Sequence, residues 1–425
     1  MISVGKHITV FEHEIIRYDK GEKRISEEQY KALLKYYGNG VPYFSPCYNG
    51  VQFNEHVGVI QVGKTLIEVL PKADKNPASE DEENRWRDIL INMLRAVGIF
   101  EIKATSDSSL KTKPNTILDL YFEIFLKEIE YLLHLGLIKK YRRKEGNVTA
   151  LKGSLMFSKH IQQNLTHQER FYVRHTTYDT QHQLHYILYK AICLLKKINT
   201  NAALHSRIGA ILLHFPEMPD INVSAATFEK IFFNRKTQSY KKSITIAKQL
   251  LLQFHPDLQR GRNDILALMF DMNRLWEKFV YVSLRNSGMN VTRTFTDFWE
   301  PDTGLTVRLK PDILINEETE DCVVLDTKWK ILKDLKPAIH DLRQMYAYNE
   351  YFAAKKSALV YPGNSEDNVN GNFYRTPHNG TANKKCGLLF LELPTKGEDN
   401  QSLVRTWQGK IHSDIKKWSN TNPEK

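Results

Sequence analysis

Lys310-Pro311-Asp312 is followed, after thirteen intervening residues, by Asp326-Thr327-Lys328. Two carboxylates and an ammonium group at this spacing can meet at one spot. The run after Asp312 is apolar (Ile313-Leu314-Ile315), as is the run before Asp326 (Cys322-Val323-Val324-Leu325), and a polar turn, Asn316 to Asp321, lies between them. An antiparallel hairpin is therefore expected, with Asp312 near the start of one strand and Asp326 near the end of the next. Residues two apart on a strand share a face, so Asp326 and Lys328 should point the same way. Such a group suits a hard divalent cation, Mg2+ or Mn2+, which takes oxygen ligands and keeps several waters. Asp312 and Asp326 would bind it, helped by the Thr327 carbonyl. The cation would polarise a phosphodiester and lower the pKa of a bound water, and Lys328 would orient that water or offset transition-state charge. The plainer alternative is a surface hairpin with an ordinary ion pair. Against it, a carboxylate ending a buried strand is costly unless partnered or functional.

Other residues could support this centre. A helix expected over Lys336–Ala354 carries Asp341, Gln344 and Tyr348. Gln344 and Tyr348 are four apart and share a helical face, where they could contact a DNA backbone or the surroundings of the carboxylates. A partly buried helix face is an equal reading for Tyr348. Upstream, Glu277 stands among bulky apolar residues in Leu275-Trp276-Glu277-Lys278-Phe279-Val280. It either supplies a further carboxylate to the site or faces solvent on an amphipathic helix.

Three further patterns invite chemistry and are set aside. Gly58 to Thr65 matches the phosphate-binding pattern GxxxxGK[ST]. That motif needs a flexible loop and a helix starting at Lys-Thr. Here Val, Ile, Gln and Val fill the loop and Leu66-Ile67-Glu68-Val69-Leu70-Pro71 follows, so a β-hairpin turning at Gly63-Lys64 is expected and no nucleotide site. His175, His182 and His185 cluster near Asp179, but no Cys or HExxH pattern joins them, and a zinc site is not inferred. The basic run Lys139 to Lys144 is read as solvated surface rather than a phosphate contact.

These residues need elements to hold them. Strands are expected at Ile8–Phe11, Val57–Val62 and Thr65–Leu70, and a helix at Ser26–Tyr37 capped by Ser26. The stretch from Lys72 to Asn84 reads as a linker whose acidic run starts a solvated helix. Helices follow at 85–97, 116–135, 180–197, 204–214 and 240–254. From about residue 263 comes a helix at Asp264–Asn286, an extended stretch Val291–Trp299, the hairpin Leu309–Ile315/Cys322–Lys330, the helix at 336–354, and strands at Ala358–Tyr361 and Leu388–Leu393. The fold class is α+β / α/β. An N-terminal β-rich part spans 1–75, a mainly helical region 80–260, and a domain with a mixed central sheet 263–425.

The composition agrees with this division. At 425 residues, two or three domains are expected. Hydrophobic residues make up 41%, enough for a real core. Lys and Arg exceed Asp and Glu by 60 to 49, a net +11 that hints at polyanionic partners. Four scattered cysteines, Cys47, Cys193, Cys322 and Cys386, indicate neither a zinc ribbon nor a disulfide scaffold. With no signal-peptide pattern and no long apolar run, a cytoplasmic protein with no membrane association is expected.

The Asp312, Asp326 and Lys328 arrangement resembles the PD-(D/E)xK nuclease superfamily, and Gln344-Met345-Tyr346-Ala347-Tyr348 resembles the QxxxY motif of its RecB-like branch. More narrowly, the chain resembles the McrC family of McrBC-type modification-dependent restriction systems. Val57 to Lys72 is similar to that family's "GvI…leIlPK" signature, and Gly136 to Phe157 to its "GL…Y…LRGRL.f" segment. Leu275-Trp276-Glu277 and Leu325 to Lys330 resemble "lfE" and "iDtKyk". Where the family often has Arg-Gly-Arg, this chain has Lys152-Gly153-Ser154, so a role resting on the second arginine does not carry over. The resemblance implies a Mg2+-dependent endonuclease restriction-endonuclease-like domain for double-stranded, 5-methylcytosine-type modified DNA. It also implies a McrB-like AAA+ GTPase hexamer as partner, docked by the N-terminal part, which stimulates its GTP hydrolysis. GTP would then be bound by the partner, not by this chain. The alternatives are a stand-alone DNA or RNA nuclease and a non-catalytic adaptor with a nuclease-like fold.

Overall fold

Ser26 ends an extended stretch and starts the helix Glu27–Tyr37: its hydroxyl accepts from the Gln29 N–H while the Gln29 side chain accepts from the Ser26 N–H. This reciprocal cap satisfies two of the helix's orphan donors. Ser79 accepts from Glu82 N–H at the start of Glu80–Ala96, and the acidic run fills the first turn, where the helix dipole favours it. The computed structural model describes residues 6–73, 79–98, 116–256, 263–302, 304–332, 334–374, 381–394 and 400–420. Among these, no helix is long and apolar enough to cross a membrane.

The chain is mixed α and β and forms two compact units. One comprises Met1–Lys6, Gln61–Thr65 and Lys113–Leu268; the other comprises His7–Ile60, Leu66–Thr112 and Met269–Lys425.

The first unit is built on the helices Ile117–Leu135, Gln183–Ile198, Ala202–His214 and Lys241–Leu252. Leu120, Phe125, Ile129, Leu188, Leu195, Ile208 and Leu250 are buried in its core. The basic run from Lys140 onward lies in the long strand Lys140–Val148, paired antiparallel with Phe171–Asp179 from Lys140↔Asp179 to Val148↔Phe171. Its side chains are mostly exposed, and alternation of charge with no apolar partner face hides such a strand from sequence reading. Gly153 has φ +73°, and a Cβ there would meet the Arg174 carbonyl oxygen at 2.3 Å, so only glycine fits against that strand. His185 is buried, with Nε2 3.0 Å from Tyr240 Oη, and serves the core.

The second unit holds the carboxylate-bearing hairpin. Its six-stranded sheet runs, in spatial order, Val291–Thr292, Ile313–Ile315, Val323–Thr327, Lys356–Pro362, Thr381–Leu391 and Val369–Tyr374. The pairings of Val323–Thr327 with Lys356–Pro362, and of the latter with Thr381–Leu391, are parallel; the flanking pairings are antiparallel. The helix Ile339–Tyr351 connects the first two parallel strands. Met345 and Tyr348 pack from it onto Leu314, Val324, Leu359 and Tyr361. The helix Met272–Asn286 packs against Val323–Thr327, and its Trp276 indole N–H donates to the Val360 carbonyl at 3.4 Å. A small antiparallel sheet of Ile15–Arg17, Gly50–Phe53 and Phe44–Cys47 belongs to the same unit, as does the parallel pairing of His7–Phe11 with Leu66–Leu70.

The expected helix Asp264–Asn286 divides in two. Ile265–Asp271 is a strand and Met272–Asn286 a helix, with Asp271 capping the Arg274 N–H at 3.0 Å. Ile265-Leu266-Ala267-Leu268 is buried without a polar stripe, the signature of a strand covered on both faces rather than of an amphipathic helix. Around the nominal phosphate-binding motif, the strands His56–Val62 and Thr65–Leu70 flank a turn at Gly63, φ +58°, and no helix begins at Lys64-Thr65. Unforeseen among the described residues are the edge strand Val369–Tyr374 and the helix Asn400–Asn420.

Candidate active site

The hairpin register brings the two aspartates face to face. Ile313 pairs with Leu325, Leu314 with Val324 and Ile315 with Val323. Extending that register by one residue sets Asp312 opposite Asp326. Asp312 is gripped by the opposing strand: one carboxylate oxygen accepts from Thr327 N–H at 2.7 Å and from Thr327 Oγ1–H at 2.8 Å. Thr327 thus spends its N–H and hydroxyl on Asp312; its carbonyl is the group the sequence reading offers to a cation.

Asp326 is 2% exposed. Burial, then the adjacent Asp312 charge, push its carboxyl above the usual range, against the pull of Lys328. Lys328 Nζ lies 2.6 Å from Asp326 Oδ2, so the two side chains do share a face. Gln344 Nε2 reaches Asp326 Oδ1 at 3.4 Å. Burial disfavours the charged ammonium of Lys328, but the carboxylates of Asp326, Asp341 and Asp312 outweigh it and raise the lysine above its ordinary value. It remains a cation at neutral pH.

The supporting residues separate into two groups. Gln344 Nε2 donates to Tyr348 Oη at 2.6 Å, and Tyr348 Oη donates to the Lys310 carbonyl at 3.0 Å. The helix face therefore braces both halves of the centre: Asp326 through Gln344 and the segment leading to Asp312 through Tyr348. Burial pushes the Tyr348 phenol up to about 12, which keeps it a donor. Tyr348→Phe removes two part-buried hydrogen bonds, while Gln344 keeps its contact with Asp326, and is expected to cost about 1 kcal/mol. Urea unfolding checks this; an unchanged midpoint would refute the brace.

Asp341, 1% exposed, forms the second group. Lys330 Nζ contacts it at 2.7 Å, His340 Nε2 at 3.1 Å and Lys328 Nζ at 3.6 Å. Lys328 is thereby held between two carboxylates. Glu277 is half-buried; its Oε1 lies 3.1 Å from Arg293, and burial followed by the charge of Asp312 raises its pKa. It adjoins the centre from the neighbouring helix with Arg293 as its partner. Nothing in the sequence ties Arg293 or His340 to the two aspartates, whereas Lys330 stands two residues beyond Lys328 in the stretch Leu325 to Lys330.

The donor set fits Mg2+ or Mn2+. Two hard carboxylates face each other and repel, which a divalent cation would relieve. Among the described residues no three His, Cys, Asp or Glu side chains converge as a ligand set. Such an ion would rely on Asp312, Asp326, a backbone carbonyl and water, in keeping with the hydration Mg2+ retains.

The model of the McrBC 5-methylcytosine restriction system component family matches residues 51–362, from the strand Gly50–Phe53 through the whole carboxylate hairpin to the parallel strand beyond it. The chain belongs to this family. No curated protein matches its sequence. Among solved structures, the chain is similar to one in the refined half-complex from the tetradecameric assembly of Thermococcus gammatolerans McrB AAA+ hexamers with bound McrC. That match has 18% identity and a TM-score of 0.70, and covers 97% of this chain and 100% of the other. A chain in the cryo-EM structure of the Thermococcus gammatolerans McrBC complex matches at 20% identity and a TM-score of 0.48, over 66% of this chain and 87% of that one. At these identities the likeness concerns the fold. McrBC membership agrees with the family resemblance carried by Val57 to Lys72 and by Leu325 to Lys330.

Proposed function

We propose that this chain is the nuclease subunit of a McrBC-like modification-dependent restriction system, cleaving double-stranded DNA with Mg2+ while docked on a McrB-like AAA+ GTPase hexamer that it stimulates. The observation that carries the reading is the convergence of the two acids at the end of the hairpin: Asp312 is held by Thr327, next to Asp326, and Lys328 lies 2.6 Å from Asp326. Family membership and the likeness to a chain of a McrB hexamer complex support the partner. A strand pair bearing the acids, a parallel strand beside it and helices packed on the sheet support a PD-(D/E)xK assignment for the second unit.

Asp312 and Asp326 would hold the cation, and the cation would supply Lewis-acid activation of the phosphodiester and a more acidic water. This chain's own residues do the rest. Thr327 fixes the Asp312 carboxylate. Gln344 orients Asp326. Lys328, kept cationic by its carboxylate neighbours, offers N–H donors to the attacking water or to the phosphorane-like charge. Glu277, its pKa raised by burial and by the charge of Asp312, adjoins the centre with Arg293 as its ion-pair partner.

The test is cleavage of methylated and unmethylated duplex by the purified chain, with and without a McrB-type partner, GTP and Mg2+. Cleavage that needs all of them supports the proposal. Vigorous cleavage by the chain alone would favour a stand-alone nuclease, and partner binding without any cleavage an adaptor.

A further inference from the structure

Trp329 follows Lys328 directly and is 7% exposed. Both of its donors are held. Its backbone N–H donates to Asn273 Oδ1 at 3.2 Å, and its indole N–H to Glu12 Oε1 at 2.8 Å. Its ring meets Trp276 edge-on at 5.4 Å and Trp86 at 6.3 Å. Glu12 is itself fixed. The same oxygen accepts from Lys72 N–H at 2.8 Å, and its own N–H donates to the Leu70 carbonyl at 2.9 Å, extending the parallel pairing of His7–Phe11 with Leu66–Leu70. On its other side Lys328 is pinned by its own N–H, which donates to the Val360 carbonyl at 2.9 Å.

Burial pushes the Glu12 carboxyl up to about 7, so the fold bears a cost to keep this acceptor where it is. A buried indole N–H needs an acceptor, and Glu12 supplies it. A lysine ammonium on a four-carbon stem reaches a fixed point only if its backbone is fixed, because each loosened dihedral multiplies the positions of Nζ. The residue that decides where Lys328 leaves the sheet is Trp329, and the groups that decide Trp329 are Asn273 and Glu12.

We infer that Glu12 is a positioning residue for Lys328, acting through the Trp329 indole N–H, so that the N-terminal segment is a working part of the nuclease centre. The inference rests on the nuclease reading above. Glu12 touches neither substrate nor the reacting atoms; its effect is on where the ammonium sits.

The experiment measures steady-state DNA cleavage by the full chain with its GTPase partner, GTP and Mg2+. Wild type, Glu12→Ala, Glu12→Gln and Trp329→Phe are compared, with partner GTPase stimulation measured alongside. Glu12→Ala is expected to lower kcat by about tenfold to a hundredfold, the scale of a misplaced catalytic group, with KM little changed. Glu12→Gln keeps an Oε1 acceptor for both N–H groups and should restore most of the rate. Trp329→Phe keeps the ring packing but loses the donor, and should match Glu12→Ala. GTPase stimulation should be unchanged in all three. Wild-type rates in Glu12→Ala or in Trp329→Phe would overturn the positioning role, as would a Glu12→Gln protein as slow as Glu12→Ala. If Glu12→Ala fails to fold, Trp329→Phe and Glu12→Gln decide. An inactive wild type overturns the nuclease reading and the positioning role with it, whereas an active wild type with active variants overturns the positioning role alone.

Discussion

Asp326→Asn should abolish DNA cleavage while leaving the fold at least as stable as the wild type. The amide keeps the shape of the carboxylate but not its charge, so the proposed cation site would lose half its anionic donors and Lys328 loses its 2.6 Å carboxylate partner. Removing such a preorganised electrostatic element costs about 10^2- to 10^3-fold or more in rate. Lys328→Ala should fall as far, since no other ammonium contacts Asp326 among the described residues' ion pairs. The stability half of the prediction comes from the same geometry. Asp326 is buried beside Asp312, and both burial and that charge raise its pKa. A raised acid contributes stability below its unfolded pKa that is lost as pH rises, so at neutral pH the ionised form is a burden that Asn removes. Lys328 keeps Asp341 at 3.6 Å in the variant. Cleavage assays with the partner and urea midpoints at pH 7 check both halves. Cleavage at the wild-type rate would sink the catalytic assignment; an inactive protein of clearly lower stability would leave misfolding as the explanation.

The carboxylate centre was legible because its geometry is local. Thirteen residues from Asp312 to Asp326, apolar on both sides of a polar turn, admit one register that keeps the apolar residues inside, and that register opposes the two aspartates. Period two then aligns Lys328 with Asp326, and the four-residue spacing aligns Gln344 with Tyr348. What was not legible depends on contacts between distant segments. Glu12 and Trp329 are 317 positions apart, and nothing in either neighbourhood signals the other. The same holds for the clustering of His7–Ile60 with Met269–Lys425 in one unit. Glu277 could be read two ways because its surroundings on the helix are apolar on one side and charged on the other; Arg293 resolves its contacts, and only the fold brings that arginine near. Strands without apolar alternation, such as Lys140–Val148, leave no trace in the sequence for want of a buried face, and Ile265–Asp271 reads as helix because a short apolar run has no period of its own.

Arg87→Ala is expected to destabilise the second unit by about 3–5 kcal/mol, the cost of leaving one member of a buried ion pair behind. Glu68 is fully buried on the strand Thr65–Leu70, and Arg87 Nε and Nη2 both donate to its Oε2, at 2.8 and 2.7 Å. His7 Nε2 stands 3.4 Å from the same oxygen. Burial alone would raise the Glu68 carboxyl; the hydrogen bonds from His7 and Arg87 reverse this and hold it below the usual range. In the wild type the pair therefore contributes stability at neutral pH that is lost as pH falls through the depressed folded pKa. Without Arg87 much of the lowering is lost. Burial then weighs more heavily, and the carboxyl protonates more readily than in the wild type. The penalty of Arg87→Ala should thus be largest near pH 8 and shrink toward pH 5. Pairing it with Glu68→Leu should recover much of the loss, because no buried charge is then left uncompensated. Urea denaturation of the single and double variants at both pH values measures this. A penalty that stays constant or grows at pH 5, or a double variant worse than the sum of its parts, would show that packing rather than charge holds these two elements together.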